Sequence, residues 1–127
     1  SIPDGFEEVY HTVNRANQAA FEAAVPGTPC EEVDRAARRV IEEAGFGKYF
    51  THRVGHGLGL DVHEPPYLSA GNRDPIRPGY VFSIEPGIYL PGKYGVRIED
   101  QVFVTPQGPV RLTPTHGLMS HDLRICN

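Results

Sequence analysis

Near residue 45 the spacing of apolar side chains changes, and that change constrains the fold more than any other feature of the chain. Before it, apolar residues recur every three or four positions; beyond Gly47 they alternate. In residues 4–24, DGFEEVYHTVNRANQAAFEAA, the side chains of Phe6, Val9, Tyr10, Val13, Ala16, Ala20, Phe21 and Ala24 form one helical stripe. Asp4 is the expected N-cap and Val25-Pro26-Gly27 the stop. A second helix is expected from Thr28, read as a capping box: Thr28 caps, Pro29 takes the first helical position and Glu31 reaches back. Val33, Ala36, Ala37, Val40, Ile41 and Ala44 give it an apolar face, and Gly45 ends it. Its charged residues Glu32, Asp34, Arg35, Arg38, Arg39, Glu42 and Glu43 read as a solvated face with ion pairs.

The second half holds most of the 14 glycines and 12 prolines, the composition of strands and turns. Tyr80 to Glu85 reads as a strand closed by Pro86-Gly87. Val96 to Thr105 reads as a longer one, with Val96, Ile98, Val102 and Val104 on one face and Arg97, Glu99, Gln101 and Phe103 on the other. Gly92-Lys93-Tyr94-Gly95 is turn-like, so these two strands are expected to form a hairpin with a wide loop. Pro106 to Pro109 is a further turn, and Pro114 to Asn127 carries no usable period. Two helices followed by strands in 127 residues predict a single α+β domain, its helices packed on one face of a curved antiparallel sheet.

Composition excludes several functions. A formal charge of -4 without a basic stripe argues against nucleic acid as a partner. No apolar run has the length of a membrane span, and no signal-peptide pattern is present. The two cysteines, Cys30 and Cys126, are too few and too far apart for a disulfide framework or a zinc knuckle. A reducing, cytoplasmic setting is the expectation.

The residues that suggest chemistry are polar ones in apolar company. Glu85 ends the strand that contains Val81, Phe82 and Ile84, where a carboxylate is costly unless it is paired, bound to a cation or turned to water. Glu99 sits centrally in an apolar strand on the face of Arg97, where a cross-strand ion pair is the plain alternative. His52, His56 and His63 follow one another through HRVGHGLGLDVHEPP, with Gly55, Gly57 and Gly59 around the middle one. Glycines there allow a backbone, a metal or a ligand to come close. An imidazole from His56 with carboxylates from Glu85 and Glu99 would suit Mn, Co, Fe or Zn better than Ca or Mg.

Three ordered blocks, HRVGHGLGLDVHEPPY, VFSIEPGIYLPG and GVRIED, closely resemble the C-terminal signature blocks of the prolidase and aminopeptidase P family, metallopeptidases of the pita-bread (creatinase-like) fold. The similarity extends through both helices, AGFGKYFTHR and PQGPVRLT. It implies that His56, Glu85 and Glu99 are metal ligands and that Glu85 also acts as general base. His52 and His63 match two active-site histidines that bind substrate and support the oxyanion, and Arg97 matches a substrate-binding arginine. The implied cofactor is a divalent metal, with Mn favoured and Co, Zn or Fe admitted. The implied substrate is a proline-containing peptide.

One departure stands out. The family site also uses two aspartates on strands upstream of the first helix, and no aspartate of this chain has that position and order. Residues 1–127 are therefore expected to be the C-terminal portion of a catalytic domain. They would hold at most one of the site's two ions, weakly, with little or no activity alone. A complementing N-terminal segment or a homo-oligomer is an expected partner. The second functional class is a non-catalytic peptide- or partner-binding protein of the same fold. A creatinase-type C–N hydrolase is a further reading, because a shared fold does not fix the pocket.

Overall fold

The computed structural model describes residues 2–59, 64–112 and 121–124. Two helices packed together, α1 (Phe6–Ala23) and α2 (Cys30–Glu43), precede a 3-10 turn at Gly47–Tyr49 and a series of strands. Those strands are β1 (Gly55–Gly57), β2 (Glu64–Leu68), β3 (Val81–Ile84), β4 (Gly87–Leu90), β5 (Tyr94–Ile98), β6 (Asp100–Thr105), β7 (Gly108–Arg111) and β8 (His121–Arg124). They form a five-stranded sheet in the order β2-β1-β3-β6-β7 and a three-stranded sheet in the order β4-β5-β8, all pairs antiparallel.

The helical stripe read from the sequence faces inward: Val9, Val13, Ala16 and Ala20 of α1 are buried, as are Val33, Ala37 and Ile41 of α2. Phe82, Ile84, Val96, Ile98, Val102 and Val104 complete the same core from the sheets. For Val96, Ile98, Val102 and Val104 this is the single face on which alternation placed them. Gly45 ends α2 as expected, with Gly45 N–H donating to Glu42 and Phe46 N–H to Ile41, the paired bonds of a Schellman turn.

Several local expectations are corrected. Gly5, not Asp4, occupies the cap of α1, and no side chain caps it. The Thr28 capping box is not made: the cap position is Pro29. The first amides of α2 are met from a distant loop instead, Cys30 N–H by the Asp74 carbonyl and Glu31 N–H by that of Asn72. A tertiary contact has replaced a local cap. The wide hairpin loop between 85 and 96 is itself a strand pair, β4 with β5, closed by a tight turn in which Lys93 N–H donates to Leu90.

The long strand expected over 96–105 divides at Glu99, β5 belonging to the small sheet and β6 to the large one. The pairing nevertheless runs on in one register. Ile84 opposes Asp100 in the large sheet, and Gly87 opposes Arg97 in the small one. Between those pairs, Pro86 accepts from Ile98 N–H at 3.3 Å. A single two-stranded ribbon therefore passes from one sheet to the other, and its register sets Glu85 directly opposite Glu99 at the crossing.

The charged side of α2 is only partly solvated. Arg35 pairs with Glu31 and Glu32 at the surface. Asp34 is buried, however, on the stripe of Cys30, Val33, Ala37 and Ile41. It accepts a two-pronged contact from Arg38, at 3.0 and 3.1 Å, and a third bond from Val54 N–H at 2.9 Å. Arg38 in turn donates to the carbonyls of Phe50 and His52 at 3.0 and 2.9 Å and lies over the Phe50 ring. This pair fixes the segment that leads into β1.

Candidate active site

Thr51, His52, Arg53, His56, Glu85 and Arg97 line one cleft of about 430 Å³. His52 and His56 come from the segment entering and forming β1, Glu85 from the end of β3, and Arg97 from β5. Glycine makes the approach of β1 possible. A Cβ on Gly55 would lie 1.8 Å from the Ser83 carbonyl oxygen, and one on Gly57 would lie 2.2 Å from that of Pro65. No side chain could be accommodated at either place without separating the strands.

His56 is buried, and its Nδ1 lies 3.0 Å from the Gly57 carbonyl. A carbonyl only accepts, so Nδ1 carries the ring proton and the lone pair of the neutral imidazole is at Nε2. Nε2 faces Glu85 Oε2 at 3.4 Å. The Glu85 side chain is only 18% exposed, which rejects the water-facing reading of this residue. Its backbone N–H donates to the carbonyl of Val54, just before β1, away from β6. That places Glu85 and Glu99 at a non-hydrogen-bonded position of the ribbon, where opposed side chains lie nearest each other.

Glu99 is the more open partner. Its side chain is 44% exposed, and Oε1 lies 4.0 Å from Arg97 Nε, the ion pair that alternation allowed. It does not contribute to the lining of the cleft. Among the described residues no group of three or more His, Cys, Asp or Glu side chains is gathered closely enough to hold a metal ion. His63 lies outside the described residues. Asp100 is buried on the opposite side of the ribbon, where it accepts from Arg111 Nε at 3.2 Å.

His52 is held at both ring nitrogens, Nδ1 to the Arg53 carbonyl at 2.7 Å and Nε2 to the Tyr89 hydroxyl at 2.8 Å. The carbonyl fixes the proton on Nδ1, so in the neutral ring Nε2 accepts from Tyr89. Tyr89 was not singled out by sequence reasoning. Its ring lies against the Cα positions of Gly87 and Gly95, which gives the hydroxyl a defined aim. The available signal was an aromatic side chain four residues beyond Glu85 on a glycine-flanked strand.

Opposed carboxylates on one ribbon, an imidazole 3.4 Å from one of them and an arginine lining the same cleft are an arrangement suited to polar chemistry rather than to packing. The chain belongs to metallopeptidase family M24, whose model matches residues 2–106. It is 58% identical over 101 residues to the probable dipeptidase PepE of Mycobacterium tuberculosis, covering 80% of this chain and 27% of that protein. It is 51% identical over 122 residues to the Xaa-Pro dipeptidase of Lactobacillus helveticus, covering 96% of this chain and 32% of the relative. The crystal structure of dipeptidase PepE from Mycobacterium ulcerans superposes with a TM-score of 0.89 at 46% identity, over 92% of this chain and 32% of that one. The chain thus spans about a third of the length of these relatives. The α+β architecture expected from the sequence, part of a pita-bread fold, is the one they share. No helix among the described residues is long and apolar enough to cross a membrane.

Proposed function

We propose that residues 1–127 form one flank of the catalytic domain of an Xaa-Pro dipeptidase or aminopeptidase, active when joined to the segment that supplies the remaining ligands and nearly inactive alone. The observation that carries this reading is the ribbon register that sets Glu85 opposite Glu99 on the side of His56. Like charges directly opposite each other destabilise a sheet, and a cation between them reverses the sign. His56 Nε2, 3.4 Å from Glu85 Oε2, adds a nitrogen donor beside those carboxylates. These residues fit a divalent metal, and mixed nitrogen and oxygen donors favour Mn, Co, Zn or Fe over Ca.

When bound, such a metal lowers the pKa of a water and polarises the scissile carbonyl. Glu85 takes up the attacking water's proton at its carboxylate. Arg97 offers a guanidinium to a terminal carboxylate of the peptide. His52 reaches substrate by exchanging its Tyr89 contact at Nε2; in the neutral ring Nε2 only accepts, so support of an oxyanion uses the doubly protonated form. His63 is assigned the second substrate-side position. The Xaa-Pro preference rests on relatives that bear that name.

The test measures metal content after equilibration with Mn and with Zn, alongside hydrolysis of an Xaa-Pro dipeptide by this chain and by the longer protein containing it. The expected result is at most one weakly held ion and no turnover for the chain, and turnover by the longer protein that Glu85→Gln abolishes. Two firmly held ions with turnover by the chain alone would refute the flank reading. A longer protein that binds proline peptides without cleaving them would favour the non-catalytic reading.

A further inference from the structure

Asn17 is a buried amide on the inner face of α1, where the other buried residues are Val9, Thr12, Val13, Ala16 and Ala20. Its Nδ2 donates to the carbonyl of Ile98 at 3.2 Å and, more weakly, to that of Ile84 at 3.5 Å. These are the residues immediately before Glu99 and Glu85. The reason for the contact lies in Pro86. At a hydrogen-bonded position of an antiparallel ribbon each residue both donates and accepts. Ile98 donates to Pro86, but proline has no N–H to return, so the Ile98 carbonyl loses its ladder partner inside the core. A buried carbonyl in that position needs a donor from elsewhere. Asn17 supplies it from the helix layer.

Asn17 is itself held. Its Oδ1 accepts from Arg111 Nη2 at 3.0 Å, while Arg111 Nε donates to Asp100 at 3.2 Å and the guanidinium lies over the Phe21 ring. The chain of contacts runs from helix α1 to Arg111 on β7, to Asp100 beside Glu99, and back to the crossing. It grips the ribbon from the face opposite the cleft, at the one point where the ladder is broken. Resting on the metal-site reading above, we infer that Asn17 is a positioning residue: its side-chain amide replaces the bond that Pro86 cannot make and thereby sets where the Glu85–Glu99 pair stands.

Asn17→Asp keeps the shape and the Arg111 contact but turns the donor into an acceptor, and Val13→Ala in the same helix serves as a purely destabilising control. Two readouts separate the roles. Mn2+ affinity of the folded protein, followed by loss of the free-ion EPR signal, is expected to weaken about tenfold in Asn17→Asp and to change less than twofold in Val13→Ala. Amide exchange by NMR is expected to accelerate at Ile98 more than at Phe82 in Asn17→Asp, and equally at both in Val13→Ala. Equal loss of Mn2+ affinity in the two variants, or an unchanged Ile98-to-Phe82 exchange ratio in Asn17→Asp, overturns the inference. If the chain alone takes up no Mn2+, the affinity comparison is made in the longer protein that contains it; no uptake there means that the metal-site reading fails by itself, and the exchange ratio alone decides whether Asn17 holds the crossing.

Discussion

Replacing Asp34 with alanine removes three contacts at once: both prongs to Arg38 and the acceptor for Val54 N–H. Breaking a buried ion pair by deleting one partner costs about 3–5 kcal/mol, because the surviving charge stays in a poor solvent. Arg38 keeps two carbonyl partners and the Phe50 ring, and its side chain is 29% exposed, so the lower end applies. We expect a loss of about 3 kcal/mol, equivalent to about 12 °C in Tm for a domain of this size. Asp34→Asn retains an oxygen for Val54 and should lose only about half as much. Urea unfolding followed by circular dichroism measures both; the midpoint should fall at constant m-value. A loss below about 1 kcal/mol for Asp34→Ala would show that the pair is no more than a surface contact, and the account of how the His52 segment is held would be wrong.

Two further outcomes follow from the site and the core. Glu99→Gln relieves the repulsion across the ribbon, so the metal-free protein should gain up to about 1 kcal/mol in urea unfolding while Mn2+ uptake falls; a loss of stability would argue against opposed charges. Burial pushes the Cys30 thiol up from its usual 9.0, and the Asp74 carboxylate adds to the shift. The folded state then holds the thiol proton where the unfolded chain has released it, so this contribution is intact below pH 9 and is lost as pH rises through the folded value. Stability measured across that alkaline range should fall less steeply in Cys30→Ala than in the unmodified protein.

Much of the architecture was legible because periodicity reports burial. The stripe of α1, the face of α2 and the even-numbered face of β6 all follow from spacing, and Gly45 stops α2 by its ordinary chemistry. What spacing cannot report is a partner far along the chain. Thr28 looked like a cap because the donors that need capping are local, yet the acceptors that meet them belong to Asn72 and Asp74. The strand over 96–105 looked single because alternation carries through Glu99 without a fault while the ribbon changes sheets. Asp34 and Asn17 were passed over as ordinary polar residues. Their signal was present: each falls at a core position of a mainly apolar helical stripe, and each is too polar to be buried there without a partner.

The cleft itself was legible in parts. His52, His56, Glu85 and Arg97 were all marked in the sequence and all line it. Tyr89 was not, since nothing local shows that its hydroxyl reaches His52 across 37 positions of sequence. The facing of Glu85 and Glu99 depends on a register that only the pairing reveals.

That register makes the site a matter of counting. From Ile84 to Asp100 the ribbon pairs residue against residue through both sheets, and the two glutamates meet because the arms between them are equal in length. Inserting one residue in either arm would bring Glu85 against a neighbour of Glu99 and turn one carboxylate to the core. Residues added at the tip, around Gly92, leave the count on both arms intact. Length variation in this hairpin should therefore be tolerated at its end and forbidden along its sides, however well the inserted residue suits a strand.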